Sequence, residues 1–148
     1  MNENEFKKDI AVEKSTQELP FIFTSLDNSI DDSLTKIEAY KSETISNNVD
    51  QMNLIFLELI DSLIVFIELV KNLNSSCTLG DDLESEHYLK LLARADDDFL
   101  AALKNILQAK ENNDFVHLND LLEYELSVSL LNWKNSFVPT VKKLAGVL

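Results

Sequence analysis

Two short patterns place a carboxylate three residues before an imidazole: Glu84 before His87, and Asp114 before His117. In carboxylate-bridged helical bundles, paired Glu-x-x-His motifs and two further glutamates hold a di-metal centre. Here both patterns open a helix, and consecutive helices of such a bundle run in opposite directions. Their starts would stand about 40 Å apart at 1.5 Å per residue. The two histidines therefore cannot share a metal, and their acids read as helix-start and surface residues. Asp96, Asp97 and Asp98 form an acidic run, but adjacent helical residues splay by 100° and do not converge on one ion. Cys77 lies beside Gly80, Asp81 and Asp82, and nearby acids raise a thiol pKa and quench its nucleophilicity. No Gly-x-Ser-x-Gly, P-loop or Cys-x-x-Cys pattern occurs. No cofactor, metal or catalytic residue is expected.

His87-Tyr88-Leu89-Lys90 resembles the His-x-x-Lys of histidine phosphotransfer domains, which are helical bundles with an exposed histidine. Those domains follow the lysine with glycine, which leaves room for the phosphodonor, whereas this chain has Leu91. The resemblance implies phosphotransfer through His87 as the alternative to a purely binding role.

Composition narrows the architecture that must position these residues. The 148 residues suit one domain of ordinary size. Only two Gly and two Pro are present, too few for a turn-rich β fold, so long helices with short connections are expected. The single cysteine rules out an intramolecular disulfide and suits a reducing cytoplasm. The N-terminal stretch is polar and mixed in charge, without an apolar segment of signal-peptide length. A net charge of −13 with one arginine, Arg94, argues against nucleic acid and anionic membranes as partners.

Residues 1–19 read as a polar tail or weak helix, and 20–148 as a single helical-bundle domain. Helix one is predicted from about Ser25 to Asn48, with Leu26, Ile30, Leu34, Ile37 and Tyr40 forming a narrow apolar stripe. Helix two spans about Asp50 to Asn74. It is apolar around most of its circumference, yet Glu58, Asp61 and Glu68 interrupt it. At 100° per residue these acids share one side with Leu54, Val65 and Asn72, which marks a strip facing water. Three acids also argue against a membrane span. Helix three is expected from about Leu83 to Lys110, with Tyr88, Leu92, Phe99, Leu103, Ile106 and Leu107 on its core face. Asp96 projects toward that side, where a carboxylate needs partners or a raised pKa; Tyr124 and Trp133 are candidate donors. Asp114 is a candidate cap for helix four, which continues to Gly146 through Pro139. Four such helices imply an all-α, antiparallel up-down four-helix bundle with a short N-terminal extension.

Helix four shows two apolar facets. One carries Phe115, Leu118, Leu122, Leu126, Trp133, Phe137 and Leu144. The other carries Leu121, Tyr124, Val128, Leu131 and Val138, roughly 150–180° away. Glu125, between the facets, is with Asp96 a candidate buried polar group. One facet suffices for a core, so the second is a candidate partner-binding surface. Asp120, Leu121, Leu122, Glu123, Tyr124, Glu125, Leu126 and Trp133 form a run that resembles the tail of uncharacterised bacterial helical-bundle proteins. That resemblance implies a bacterial cytoplasmic protein of unknown function and supplies no active site. Small acidic bundles also resemble bacterial export chaperones and toxin-neutralising immunity proteins. The sequence thus points to a non-enzymatic, chaperone- or adaptor-like bundle that binds another protein or forms a homodimer.

Overall fold

The computed structural model describes residues 3–76 and 83–146, with side chains from Leu19 to Ser75 and from Leu83 to Gly146. Among these residues the protein is all-helical, with four helical rods and no strand. We label them α1 (Glu3–Ser46), α2 (Val49–Ser76), α3 (Leu83–Glu111) and α4, the composite rod over residues 115–144. Cys77, Gly80, Asp81 and Asp82 lie outside the described residues.

Turn chemistry sets the connections. Asn47 and Asn113 adopt positive φ of 55° and 54°, conformations that asparagine tolerates and most residues resist. After Asn47, the Asn48 side chain accepts from the Gln51 backbone N–H at 3.2 Å and opens α2. After Asn113, Asp114 accepts from the His117 N–H at 3.2 Å and caps α4, as its position suggests. Gly146, at φ 73°, follows the end of α4.

The first helix begins well before the expected Ser25, because the chain continues helically through Pro20. Pro20 forfeits only its own N–H, hence one bond to the Thr16 carbonyl, and is itself exposed. The apolar stripe of α1 lies inside as expected: Leu26, Ile30, Ile37 and Tyr40 are fully buried, and Leu34 packs against them.

Buried positions on α2 step by four and three through Met52, Phe56, Leu59, Leu63, Phe66, Val70 and Leu73. On α3 the buried or half-buried series is Ser85, Tyr88, Leu92, Ala95, Phe99, Ala102, Ile106 and Ala109, with the same stepping. Both are heptad patterns, the signature of helices packed along their length. Phe66 stands at the centre, 5.0 Å from Phe99 and 5.5 Å from Trp133 between ring centroids.

Polar contacts fix the relative directions. Lys36 meets Glu58 at 3.0 Å and Asp32 accepts from Ser62, so numbers fall along α1 as they rise along α2. Lys41 meets Glu123, Asp31 meets Lys134, and Asp27 meets Lys142, the same relation between α1 and α4. Lys110 reaches Asn53 at 2.6 Å, which with Phe66–Phe99 gives it for α2 and α3.

The last rod departs from a regular α-helix. It is α-helical over Phe115–Asp120, Ser127–Asn132 and Val138–Leu144, and π-helical over Leu121–Leu126 and Trp133–Phe137. The cause is visible in the buried spacing. Leu118, Leu122, Leu126 and Leu130 are spaced by four, and on a regular helix such a row drifts 40° per step. A turn closed from i to i+5 accommodates the extra residue and returns the row to the core. Ser127 Oγ donates to the Leu122 carbonyl at 2.8 Å across the first wide turn. The second wide turn ends at Phe137, two residues before Pro139, whose ring would otherwise press on the preceding turn.

Candidate functional site

The wide turns change what helix four offers to a partner. Tyr124, Val128 and Leu131 are exposed at 66%, 49% and 42%, and form a stripe at helical spacing. Leu121 and Val138 do not belong with them; they are 4% and 1% exposed and sit in the core. A uniform 100° rotation places all five residues on one facet. The π-helical turns rotate the first and last of them inward, so the exposed facet is the central three. Phe115, assigned to the core facet, is instead at the surface beneath the Lys110 ammonium.

Glu125 is exposed, not buried. It lines a groove between α3 and α4 with Ala95, Asp98, Val128, Ser129, Asn132 and Phe137. Asp96 is half-buried. Desolvation raises its carboxyl pKa, the Asp97 charge adds to the rise, and Lys71 on α2 opposes it. Neither expected donor serves it. Tyr124 points to solvent, and Trp133 Nε1 is buried with no hydrogen-bond partner.

His87 is exposed and shares a shallow surface depression with Leu83, Glu86 and Lys90. Lys90 lies 3.9 Å from Glu86. His117 is near the start of α4, at the far end of α3 from His87, so the two imidazoles are not brought together. Among the described residues no three His, Cys, Asp or Glu side chains converge as a metal site. Among them, too, no helix is long and apolar enough to cross a membrane.

The carboxylates of α2 occupy the outer strip: Asp61 and Glu68 are exposed, and Glu58 is half-buried against Lys36. More informative is the flank of α2 that turns toward α3. Ile60 and Ile67, one position beyond the core heptad, are half-buried, and Leu57 and Ile64 beside them are 62% and 48% exposed. On α3, Leu103 is half-buried at the corresponding flank position, and Leu100 and Leu107 beside it are 44% and 46% exposed. Leu107 is thus a surface residue, not the core residue that a broad helical face suggests. The Lys110–Asn53 and Phe66–Phe99 contacts set Leu57 level with Leu107 and Ile64 level with Leu100. Close backbone approach is dense between α1 and α2 and sparse between α2 and α3. The result is an open apolar seam in which both helices expose leucine or isoleucine where a closed bundle carries charge.

Sequence reasoning missed this seam because it read α2 and α3 each as one apolar face and one wet strip. The available signal was the heptad: once Phe56 and Phe99 are set as core positions, the two flanking positions on each helix are apolar.

No curated protein matches the chain, and no solved structure matches it. One family model does match, over residues 22–136, a span that contains α2, α3, the seam between them and the exposed stripe of α4. The chain belongs to the family that this model defines, a domain of unknown function (DUF8042).

Proposed function

We propose that the protein is a non-enzymatic interaction module, an acidic antiparallel up-down helical bundle that works in the bacterial cytoplasm by binding another protein or a second copy of itself. The observation that carries this reading is contiguous exposed apolar surface on neighbouring rods. Tyr124, Val128 and Leu131 line one face, and the α2–α3 flanks line another. Apolar patches of this kind on a small charged domain mark association surfaces. The crossing contacts of Lys36 with Glu58, Lys41 with Glu123 and Lys110 with Asn53 support the up-down arrangement, and the single cysteine supports a reducing compartment. The residues nearest to a catalytic arrangement, Asp98 and Glu125, face an open groove whose lining residues include one hydroxyl, Ser129, and no histidine or lysine to activate it.

The test is assembly mass by size exclusion with light scattering, alone and with candidate partners. Tyr124→Ala and Leu131→Asp weaken assembly while helicity and unfolding stay native, because both side chains are exposed. Unchanged assembly in both variants removes the α4 face from the account.

The second reading, phosphotransfer through His87, is favoured by the exposure of that imidazole and by Lys90 one turn along. A phosphodonor assay separates the two. Acid-labile label on the native chain and none on His87→Gln supports transfer; no label on the native chain ends it.

A further inference from the structure

The groove between α1 and α2 has a volume of about 580 Å³, within the range of about 300–1,000 Å³ that small-molecule sites occupy. We propose that it binds a small amphiphilic amine, with the ammonium at Asp32 and Asp61 and the apolar tail along Val65 and Leu69 toward Phe21. The site lies apart from the α4 face and the α2–α3 seam and does not depend on the interaction reading.

Helix register separates its two ends. The Ser62–Asp32 contact sets Val65 level with Ser29, and Leu69 level with Ser25. Phe21 stands one turn beyond Ser25, so the carboxylates sit at one end and the apolar side chains run toward the other. The steps along α1 from Phe21 to Asp32 span about 16 Å. Serines make the floor, because Ser29 and Ser62 are buried and too short to fill the space above them. Their hydroxyls are already engaged. Ser29 Oγ donates to the Leu26 carbonyl at 3.0 Å, and Ser62 Oγ donates to Asp32 and to the Glu58 carbonyl. A tail crossing this floor leaves no hydroxyl stranded. Phe21 and Val65 are exposed, and a tail laid against them takes apolar surface out of water.

Charge selects the head group. Asp32 and Asp61 are the charged residues of the lining, which holds no cation. Lys36, one turn beyond Asp32, feels that carboxylate but is held by Glu58 at 3.0 Å. Lys134 and Lys142 meet Asp31 and Asp27 on the α4 side of α1, and Lys71 acts on Asp96 of α3. Glu68 adds a further negative charge on the outer strip of α2. An ammonium gains charge-assisted hydrogen bonds at this end, and an anionic ligand is repelled. One acidic end and one apolar end exclude a polyamine and a fatty acid alike. A partner helix needs apolar contact along its length, which Phe21, Val65 and Leu69 do not supply beside the carboxylates.

The probe is octylamine, titrated at neutral pH into the isotope-labelled full-length protein and followed by amide chemical shifts. Octanol, octanoate and propylamine are the controls. Octylamine moves the amides of Asn28, Ser29, Val65 and Leu69 saturably and binds about tenfold more tightly than each control. Asp32→Asn with Asp61→Asn lowers its affinity to that of octanol, and Phe21→Ser lowers it severalfold. These side chains are exposed and asparagine still accepts from Ser62, so helicity and unfolding stay native in the variants. Absence of saturable shifts in the groove, or equal shifts at Leu57 and Tyr124, overturns the proposal. Equal binding of octanol or octanoate overturns it through the head group, and equal binding of propylamine overturns it through the tail. Undiminished binding to the Asp32→Asn/Asp61→Asn variant also overturns it. Groove amides that move with protein concentration alone make a second copy the occupant and overturn it. Partner assembly lost in Phe21→Ser but kept in Tyr124→Ala makes a protein the occupant, which overturns the proposal and leaves the interaction reading in place.

Discussion

The two flanks of α2 make contrasting boundaries. Toward α1, Ser62 donates to Asp32 and Glu58 meets Lys36, and the two backbones lie close along much of their length. Toward α3, the helices touch through the tips of Phe66 and Phe99 and through Lys110 and Asn53, while Leu57, Ile64, Leu100 and Leu107 stay at the surface. Backbone approach separates the two flanks more than polarity does, since the closely packed α1 flank also carries an open groove lined by Phe21, Asp61, Val65 and Leu69. Burial in this fold therefore follows helix spacing as well as residue type. Serine at positions 29, 33 and 62 lets α1 approach α2, and each is 9% exposed or less. Bulky aromatics at the centre hold α3 further away.

Substitutions around the circumference of α2 sharpen that contrast. Leu59 is fully buried, and Leu59→Ala costs about 2–5 kcal/mol in urea unfolding. Ile60 is half-buried on the seam flank, and Ile60→Ala costs about 1 kcal/mol. Leu57 is 62% exposed, and Leu57→Ser changes stability by less than about 0.5 kcal/mol. A cost for Leu57→Ser close to that of Leu59→Ala would mean that the seam is closed in solution.

Asp96 gives a smaller effect with a definite sign. Its folded-state pKa is raised above 3.8, chiefly by desolvation, so folding favours the neutral carboxyl. Stability from this group is present at acid pH and is lost as pH rises through the folded pKa. Asp96→Asn therefore stabilises the protein at neutral pH, and the gain disappears as pH falls toward 3.8. Unfolding curves at neutral and acid pH read this directly. A neutral-pH loss on Asp96→Asn would mean that Lys71 outweighs burial at this position.

Much of the fold was legible from punctuation and periodicity. Asp114 caps where expected, Gly146 follows the last helix, and Leu26, Ile30, Ile37 and Tyr40 are buried together. The expected start near Ser25 is late, because one missing N–H in an exposed turn does not end a helix and α1 runs on through Pro20. The facet of helix four was half legible. Tyr124, Val128 and Leu131 keep their exposed stripe, but Leu121 and Val138 turn inward at π-helical turns that a fixed 100° rotation cannot represent. The spacing by four from Leu118 to Leu130 was the readable sign of that change. The seam depends on how far apart two helices settle, which is a property of Phe66 and Phe99 meeting across the core and not of either helix alone.

The most direct test is to close the seam covalently. In a Cys77→Ser background, Leu57→Cys and Leu107→Cys are bridged by a short, reductant-cleavable, thiol-reactive linker, and assembly mass is measured by light scattering before and after cleavage. The account predicts that assembly is lost while the bridge is in place and returns, once it is cut, to that of the never-bridged double-cysteine protein. The same assembly in both states would contradict it.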